Sequence, residues 1–325
     1  MKAVLLLNLG TPSAPDTASV RKYLTEFLLD PRVLDINPIK RNLLVRLSIA
    51  PKRAPQLAKI YKSIWTEKGS PLLVHMLNLK TALQTKIGSN YLVECAMRYQ
   101  QPSLVQALDR LKKYSLDELV LVPLFPQYAS ATTGSALEKT LNLLSKWETI
   151  PKIRVVTEFC DHPGFINCHA QKLKSIGPYE KLLVSFHGLP EKQLKKANKG
   201  CLSAANCCER NICCYRSHCL RTYNALLKAA NISPQDALMT FQSRFGKDPW
   251  LTPDTQETAI QLAQKGVKRI AIISPSFTMD CIETLYELGV EVRHKFLESG
   301  GDECNLVPSL NDSPEWIESI WKIIV

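Results

Sequence analysis

"LDELVLVPLFPQYASATTGSALEKTL", residues 116–141, passes from a polar helix end through an apolar run and a proline into a loop and a new helix. The same order returns in "VKRIAIISPSFTMDCIETLYEL", residues 267–288. A run such as "ELVLVPL" (118–124), apolar without polar alternation, suits a strand covered on both faces of a parallel sheet. "AVLLLNL" (3–9), "KLLVSFH" (181–187) and "RIAIISP" (269–275) read the same way, and further strands are predicted at 91–99, 152–159 and 237–243. Between them, amphipathic helices are predicted at 103–114, 134–147, 219–231 and 254–265.

Strands alternating with helices predict an α/β fold, and the echo between halves, with "LLLNLGTP" (5–12) answering "LLVSFHGLP" (182–190), predicts two similar Rossmann-like domains. Each is expected to be a parallel sheet flanked by helices. The expected bounds are 1–150, 151–310 and a C-terminal helix at 311–325, capped by Ser313 with Pro314 at its first position.

The chain has 325 residues, 45% hydrophobic and 22% charged, as ordinary globular proteins do. No apolar run approaches the roughly 18–20 residues that span a bilayer. "MKAVLLLNLGTPS" (1–13) has a short apolar run that Asn8 interrupts, so it reads as a strand and not a secretory signal, which places the protein in the cytoplasm. The net charge of +11 is uneven: residues 36–66 carry seven Lys or Arg and no acid. "NLLVRLSIAPKR" (42–53) interleaves apolar and cationic residues. That pattern suits either a solvated basic helix face or peripheral contact with an anionic membrane at its inner face. No nucleic-acid-binding signature accompanies it, so no nucleic-acid partner is expected.

In open α/β sheets ligands bind beyond the carboxyl ends of the strands. No loop there carries GxGxxG or a Walker motif, so no nucleotide cofactor is indicated. His187 ends a strand and precedes Gly188 and Pro190, which suits a proton acceptor or metal ligand at a rim, and equally a hydrogen-bonded core histidine. Glu283 has two readings as well. Asp280-Cys281-Ile282-Glu283 has capping-box spacing, yet a helix start after a strand also places a carboxylate on the ligand side of a sheet.

Six of eleven cysteines fall within "CLSAANCCERNICCYRSHC", residues 201–219. In a reducing compartment such density argues for metal rather than disulfides. Cys201, Cys207, Cys213 and Cys219 are spaced six apart, with Cys208 and Cys214 doubling two of them. Four thiolates suffice for an iron–sulfur cluster or for tetrahedral zinc, with one ligand expected from each adjacent pair.

"LNLGTP" (7–12), "AMRY" (96–99), "PQYASATTGS" (126–135), "SFHGLP" (185–190), "TFQSRFGKDPWL" (240–251) and "FTMDCIETLYE" (277–287) together resemble the ferrochelatases. The resemblance implies a lyase that inserts Fe2+ into a porphyrin to complete haem synthesis. It implies two Rossmann-like domains facing each other across a cleft, with a lip near residues 28–66. On matching positions His187 would take pyrrole protons or meet the metal, and Glu283 would assist. Met97, Arg98, Tyr99, Trp250 and Leu9 would line the porphyrin pocket, while Gln127 and Tyr128 sit in a matching loop. Leu9 implies protoporphyrin IX as substrate; coproporphyrin, or another tetrapyrrole chelatase of this fold, is the alternative. The cysteine-rich segment departs from the usual family pattern and resembles the bacterial subtype with an internal 2Fe-2S cluster. The absence of a long C-terminal extension implies a monomer.

Overall fold

The computed structural model describes residues 1–325 apart from Lys199, Ser203, Ala205, Ile212 and Lys247, of which Ser203, Ala205 and Ile212 fall inside the cysteine-rich stretch. The chain divides into two compact units. The first holds Met1–Phe125 and Ala129–Thr157 with Ile324–Val325; the second holds Pro126–Tyr128 and Glu158–Ile323.

In chain order the first unit comprises β1 (Lys2–Asn8), α1 (Thr17–Leu28), α2 (Pro38–Leu44), α3 (Ala50–Ile64), α4 (Pro71–Ile87), β2 (Tyr91–Met97), α5 (Leu104–Leu111), β3 (Glu118–Pro123), α6 (Ser135–Leu144) and β4 (Lys152–Val155). Its four strands are parallel in the order β2-β1-β3-β4. β1 and β3 are central and buried almost throughout, which explains their unbroken apolar runs. One face of this sheet packs Leu5, Leu7, Leu119 and Leu121 against Leu104, Ala107, Leu108 and Leu111 of α5.

The second unit comprises α7 (Pro163–Lys174), β5 (Lys181–His187), α8 (Glu191–Ala197), α9 (Cys207–Arg210), α10 (Tyr215–Ala230), β6 (Ala237–Gln242), α11 (Thr255–Gln264), β7 (Arg269–Ile273), α12 (Arg293–Glu298), β8 (Glu303–Leu306) and α13 (Pro314–Ile324). Its parallel sheet runs β6-β5-β7-β8, the same order of second, first, third, fourth strand. Register repeats too: Asn8 at the end of β1 stands beside Met97, and His187 at the end of β5 beside Gln242. The echo between "LNLGTP" and "SFHGLP" is therefore an echo of position.

Three segments among the described residues are π-helical: Val45–Ile49 before α3, Ser130–Gly134 before α6, and Glu283–Val292 before α12. The first leads into Pro51 and Pro55, which lack the N–H an α-helical ladder needs and crowd the carbonyl four residues back, so a wider turn relieves both. No helix among the described residues is long and apolar enough to cross a membrane.

Candidate active site

β5 is buried from Leu182 to Phe186 and emerges at His187, which is half-buried. The His187 Nδ1 lies 2.6 Å from the Gly188 carbonyl oxygen. A carbonyl only accepts, so Nδ1 carries the proton and the Nε2 lone pair is left to act as base or metal ligand. The His187 N–H donates to Ser276 Oγ at 3.2 Å, and its carbonyl accepts from the Tyr215 hydroxyl at 2.6 Å. Gly188 must be glycine here, since an added Cβ would lie 2.8 Å from the Gln242 carbonyl oxygen and 3.2 Å from the Trp250 ring. Burial lowers His187 below its ordinary value, opposed by the negative field of Glu283. The ring is thus neutral, as a base must be.

Glu283 opens the long π-helical segment. The capping box that its spacing suggests does not form. The Asp280 N–H donates to Asn311 Oδ1 at 2.9 Å, so it is not free for Glu283. Thr284 closes the turn instead, its hydroxyl accepting the Cys281 N–H at 3.0 Å and donating to Asp280 Oδ1 at 3.1 Å. Relieved of capping, Glu283 interacts electrostatically with His187 and takes a hydrogen bond from the Cys281 thiol. Burial raises its carboxyl above the ordinary range, with Cys281 and His187 pulling the other way. A neutral imidazole beside a carboxylate whose proton affinity burial has raised is an arrangement for moving protons.

Sequence reading missed two further groups here. Gln242 donates through Nε2 to the Glu283 carbonyl at 2.9 Å and accepts from Ser185 and Ser274 through Oε1 at 2.9 and 3.0 Å. Glu287, four residues after Glu283, accepts from the Ser243 N–H and hydroxyl at 2.6 Å each, and burial raises its carboxyl as well. The i, i+4 spacing of two glutamates on a helix was a readable signal; the burial that makes it meaningful was not.

Trp250 bridges to Pro190, and its indole Nε1 is buried with no hydrogen-bond partner among the described residues. Leu9, Met97, Arg98 and Tyr99 belong to the first unit. Leu9 follows β1, and Met97 and Tyr99 are buried. Arg98 Nη2 pairs with Asp30 at 2.6 Å, and the Tyr99 hydroxyl donates to the same carboxylate at 2.8 Å. Burial alone would raise Asp30, but Ser135, the Arg32 N–H, Tyr99 and Arg98 together hold it below its ordinary value. Gly10, with φ +123°, lets the chain pass Tyr99: a Cβ there would meet the Tyr99 carbonyl oxygen at 2.1 Å. Gln127 packs within the second unit, donating to Thr222 Oγ1 at 3.0 Å, and the Tyr128 N–H donates to His218 Nδ1 at 3.1 Å.

The cysteine-rich stretch brings several sulfurs together. Cys201 Sγ lies 3.9 Å from Cys214 Sγ, and Arg216 Nη1 lies 3.9 Å from Cys208 Sγ. Cys214 caps α10, its sulfur accepting the Ser217 N–H at 3.4 Å. Cys219 feels the charges of Cys214 and Cys208, whereas Cys213 is exposed. Burial raises Cys201 to about 12 and Cys208 to about 11. Cys207 is lowered, since the Leu202 backbone, Cys208 and Arg216 outweigh burial.

Among the described residues, one set of three potential metal-ligand atoms lies within 4.8 Å of one another, and it is Glu158, Cys160 and His218. Arg221 stands 3.8 Å from Glu158, and His218 Nδ1 already accepts the Tyr128 N–H, so this set is filled by its own protein contacts.

A sequence model of the family described as Ferrochelatase matches residues 1–325. A protein named ferrochelatase from Legionella pneumophila (strain Philadelphia 1) is 43% identical over 330 residues, covering 99% of this chain and 98% of that protein. One of the same name from Bdellovibrio bacteriovorus is 37% identical over 330 residues, with the same coverage of 99% and 98%. Among solved structures, SirB from Bacillus subtilis with Fe3+ superposes with a TM-score of 0.59 at 11% identity, covering 100% of this chain and 96% of that one. At that identity the likeness concerns the fold alone, which is the two-sheet α/β architecture. With a family match over its whole length and relatives at 37–43% identity, the chain belongs to the ferrochelatase family.

Proposed function

We propose that this protein is a metal chelatase, a lyase that inserts ferrous iron into protoporphyrin IX in the making of haem. The observation that carries the mechanism is the His187 tautomer. With Nδ1–H held by the Gly188 carbonyl, Nε2 offers its lone pair beside Glu283. A free-base porphyrin carries two inner N–H protons that leave as the metal enters, so the balance is porphyrin plus Fe2+ giving haem plus two protons. Nε2 of His187 takes a pyrrole proton; Glu283 relays it, and half-buried Glu287 continues the carboxylate line along the π-helical segment. A ring held buckled would expose its nitrogen lone pairs, with binding energy offsetting the distortion.

Leu9, directly after β1, stands where the resemblance to the family implies protoporphyrin over coproporphyrin. Iron insertion followed by absorbance with each porphyrin tests both points. Protohaem should form faster than coprohaem in the wild type, and His187→Ala should abolish insertion while porphyrin still binds. A variant that keeps wild-type rates removes His187 from the reaction.

The cysteine stretch fits an iron–sulfur cluster as a structural or regulatory group, because metalation moves no electrons. Sulfurs on one tetrahedral metal at about 2.3 Å lie about 3.8 Å apart, which the Cys201–Cys214 separation of 3.9 Å matches. The Ser217 N–H on Cys214 is the kind of donor that tunes such clusters. We assign Cys201 and Cys219 with one cysteine of each adjacent pair as the cluster ligands, and from the second pair Cys214, which lies 3.9 Å from Cys201 while Cys213 is exposed. Protein purified without oxygen should show visible charge-transfer absorption that Cys214→Ser removes and Cys213→Ser leaves. A colourless protein with one zinc would refute the cluster and leave the chelatase intact.

Exposed Ile39, Leu43, Leu44 and Leu47 on the acid-free 36–66 stretch support peripheral contact with an anionic membrane.

A further inference from the structure

The peptide of His187 is anchored from two sides, and one anchor belongs to the cysteine-rich stretch. Tyr215 is the first residue of α10, buried, directly after Cys214 and four residues before Cys219. Its hydroxyl donates to the His187 carbonyl at 2.6 Å, while Ser276 Oγ accepts the His187 N–H at 3.2 Å. Ser276 and Cys219 also act electrostatically on the Tyr215 hydroxyl. A single phenol thus holds the main chain of the base and begins the helix that Cys214 caps.

The short Tyr215 contact is buried, where a hydrogen bond is strong and its geometry well defined. The ring of His187 is itself tied to the next carbonyl, that of Gly188. A rotation of the His187 peptide therefore reorients the imidazole, because both ends of its tether move together. Cys214 fixes the start of α10 through the Ser217 N–H, so a shift of that sulfur moves Tyr215 with the helix end.

We propose that Tyr215 is a positioning residue that couples the state of the cysteine site to the orientation of the His187 imidazole. This rests on the reading of His187 as the porphyrin base, and it extends that reading to regulation. A shift of Cys214 on binding or losing a metal would move the first turn of α10, and Tyr215 would pass that movement to the His187 carbonyl. Such control of the rate would need no redox step.

The test is a cycle of Tyr215→Phe, Cys214→Ser and the double variant, made in the full chain. Two readouts are taken: steady-state insertion of metal, and the ring 15N resonances of His187 in protein labelled at histidine. Tyr215→Phe should lower kcat about tenfold, as small misplacements of a catalytic group do, with KM for porphyrin within about twofold. It should also shift the His187 resonances. Cys214→Ser should shift the same resonances in the same direction, and the double variant should add little to either single one. Wild-type resonances in Tyr215→Phe would overturn the proposal, and so would effects that simply add. Should Tyr215→Phe fail to fold, Ser276→Ala removes the hydroxyl on the opposite side and must give the same signature, or the proposal fails. Absence of insertion by the wild-type protein with any porphyrin would refute the functional reading alone, because the resonance cycle judges the coupling by itself.

Discussion

At the scale of single residues, the chemistry depends on which proton sits where. His187 is neutral because burial disfavours its charge, and Glu283 partly restores it. Glu283→Gln removes that restoring charge, so the His187 value moves lower still. On the proposed reading, in which the neutral ring is the base, the acid limb of kcat/KM should move to lower pH in the variant. The rate itself should fall about a hundredfold with the loss of the relay. A pH profile of zinc or iron insertion checks both. An acid limb that stays put would separate Glu283 electrostatically from the base.

At the scale of elements, the seam between α7 and α13 is apolar but carries one misfit. Phe159, Phe165 and Trp316 interleave there, with Phe159 and Trp316 centroids 5.9 Å apart. His169 stacks edgewise on Phe165 at 4.8 Å, and both its ring nitrogens lack partners among the described residues. Burial pushes its value down to about 3 from 6.5. The folded state therefore holds His169 neutral while the unfolded chain protonates below about 6.5. Stability from this group is full above that pH and is lost as pH falls toward the folded value. His169→Leu should flatten this acid slope and raise stability by about 1 kcal/mol, the cost of unpaired buried groups. The melting midpoint at neutral pH should rise roughly 2–4 °C. An unchanged slope on acid titration would mean that the ring nitrogens find partners in solution.

At the scale of the whole molecule, charge is concentrated rather than spread. Residues 36–66 hold seven of the chain's cations and none of its acids, and Ile39 and Leu47 are 72% and 73% exposed. Contact with an anionic bilayer would combine both features, so flotation with anionic vesicles should exceed that with neutral ones. It should weaken as salt shortens the Debye length from about 10 Å at 0.1 M. Leu43→Asp with Leu47→Asp should abolish it without altering insertion into a porphyrin presented in detergent. Equal flotation with both lipids, or none, would make the patch an ordinary solvated face.

Much was legible in the chain alone. Apolar runs gave the α/β class, because a strand covered on both faces is apolar along its buried length, as residues 3–7, 119–122, 182–184 and 270–273 are. The paired motifs after β1 and β5 marked equivalent positions because parallel sheets place loops of one kind at one end. Short β8 and the π-helical segments escaped notice: four residues carry too little pattern, and π-turns depend on how packing widens a helix. Glu283 was ambiguous for a better reason. Its spacing satisfied a local cap, and only Asn311, distant in sequence, took the Asp280 N–H and released the carboxylate. That Cys214 lies buried against Cys201 while its neighbour Cys213 is exposed was likewise not readable from spacing. What composition and spacing determined was the kind of side chains available; which of them meet, and in which protonation state, was decided by partners that only folding brings within reach.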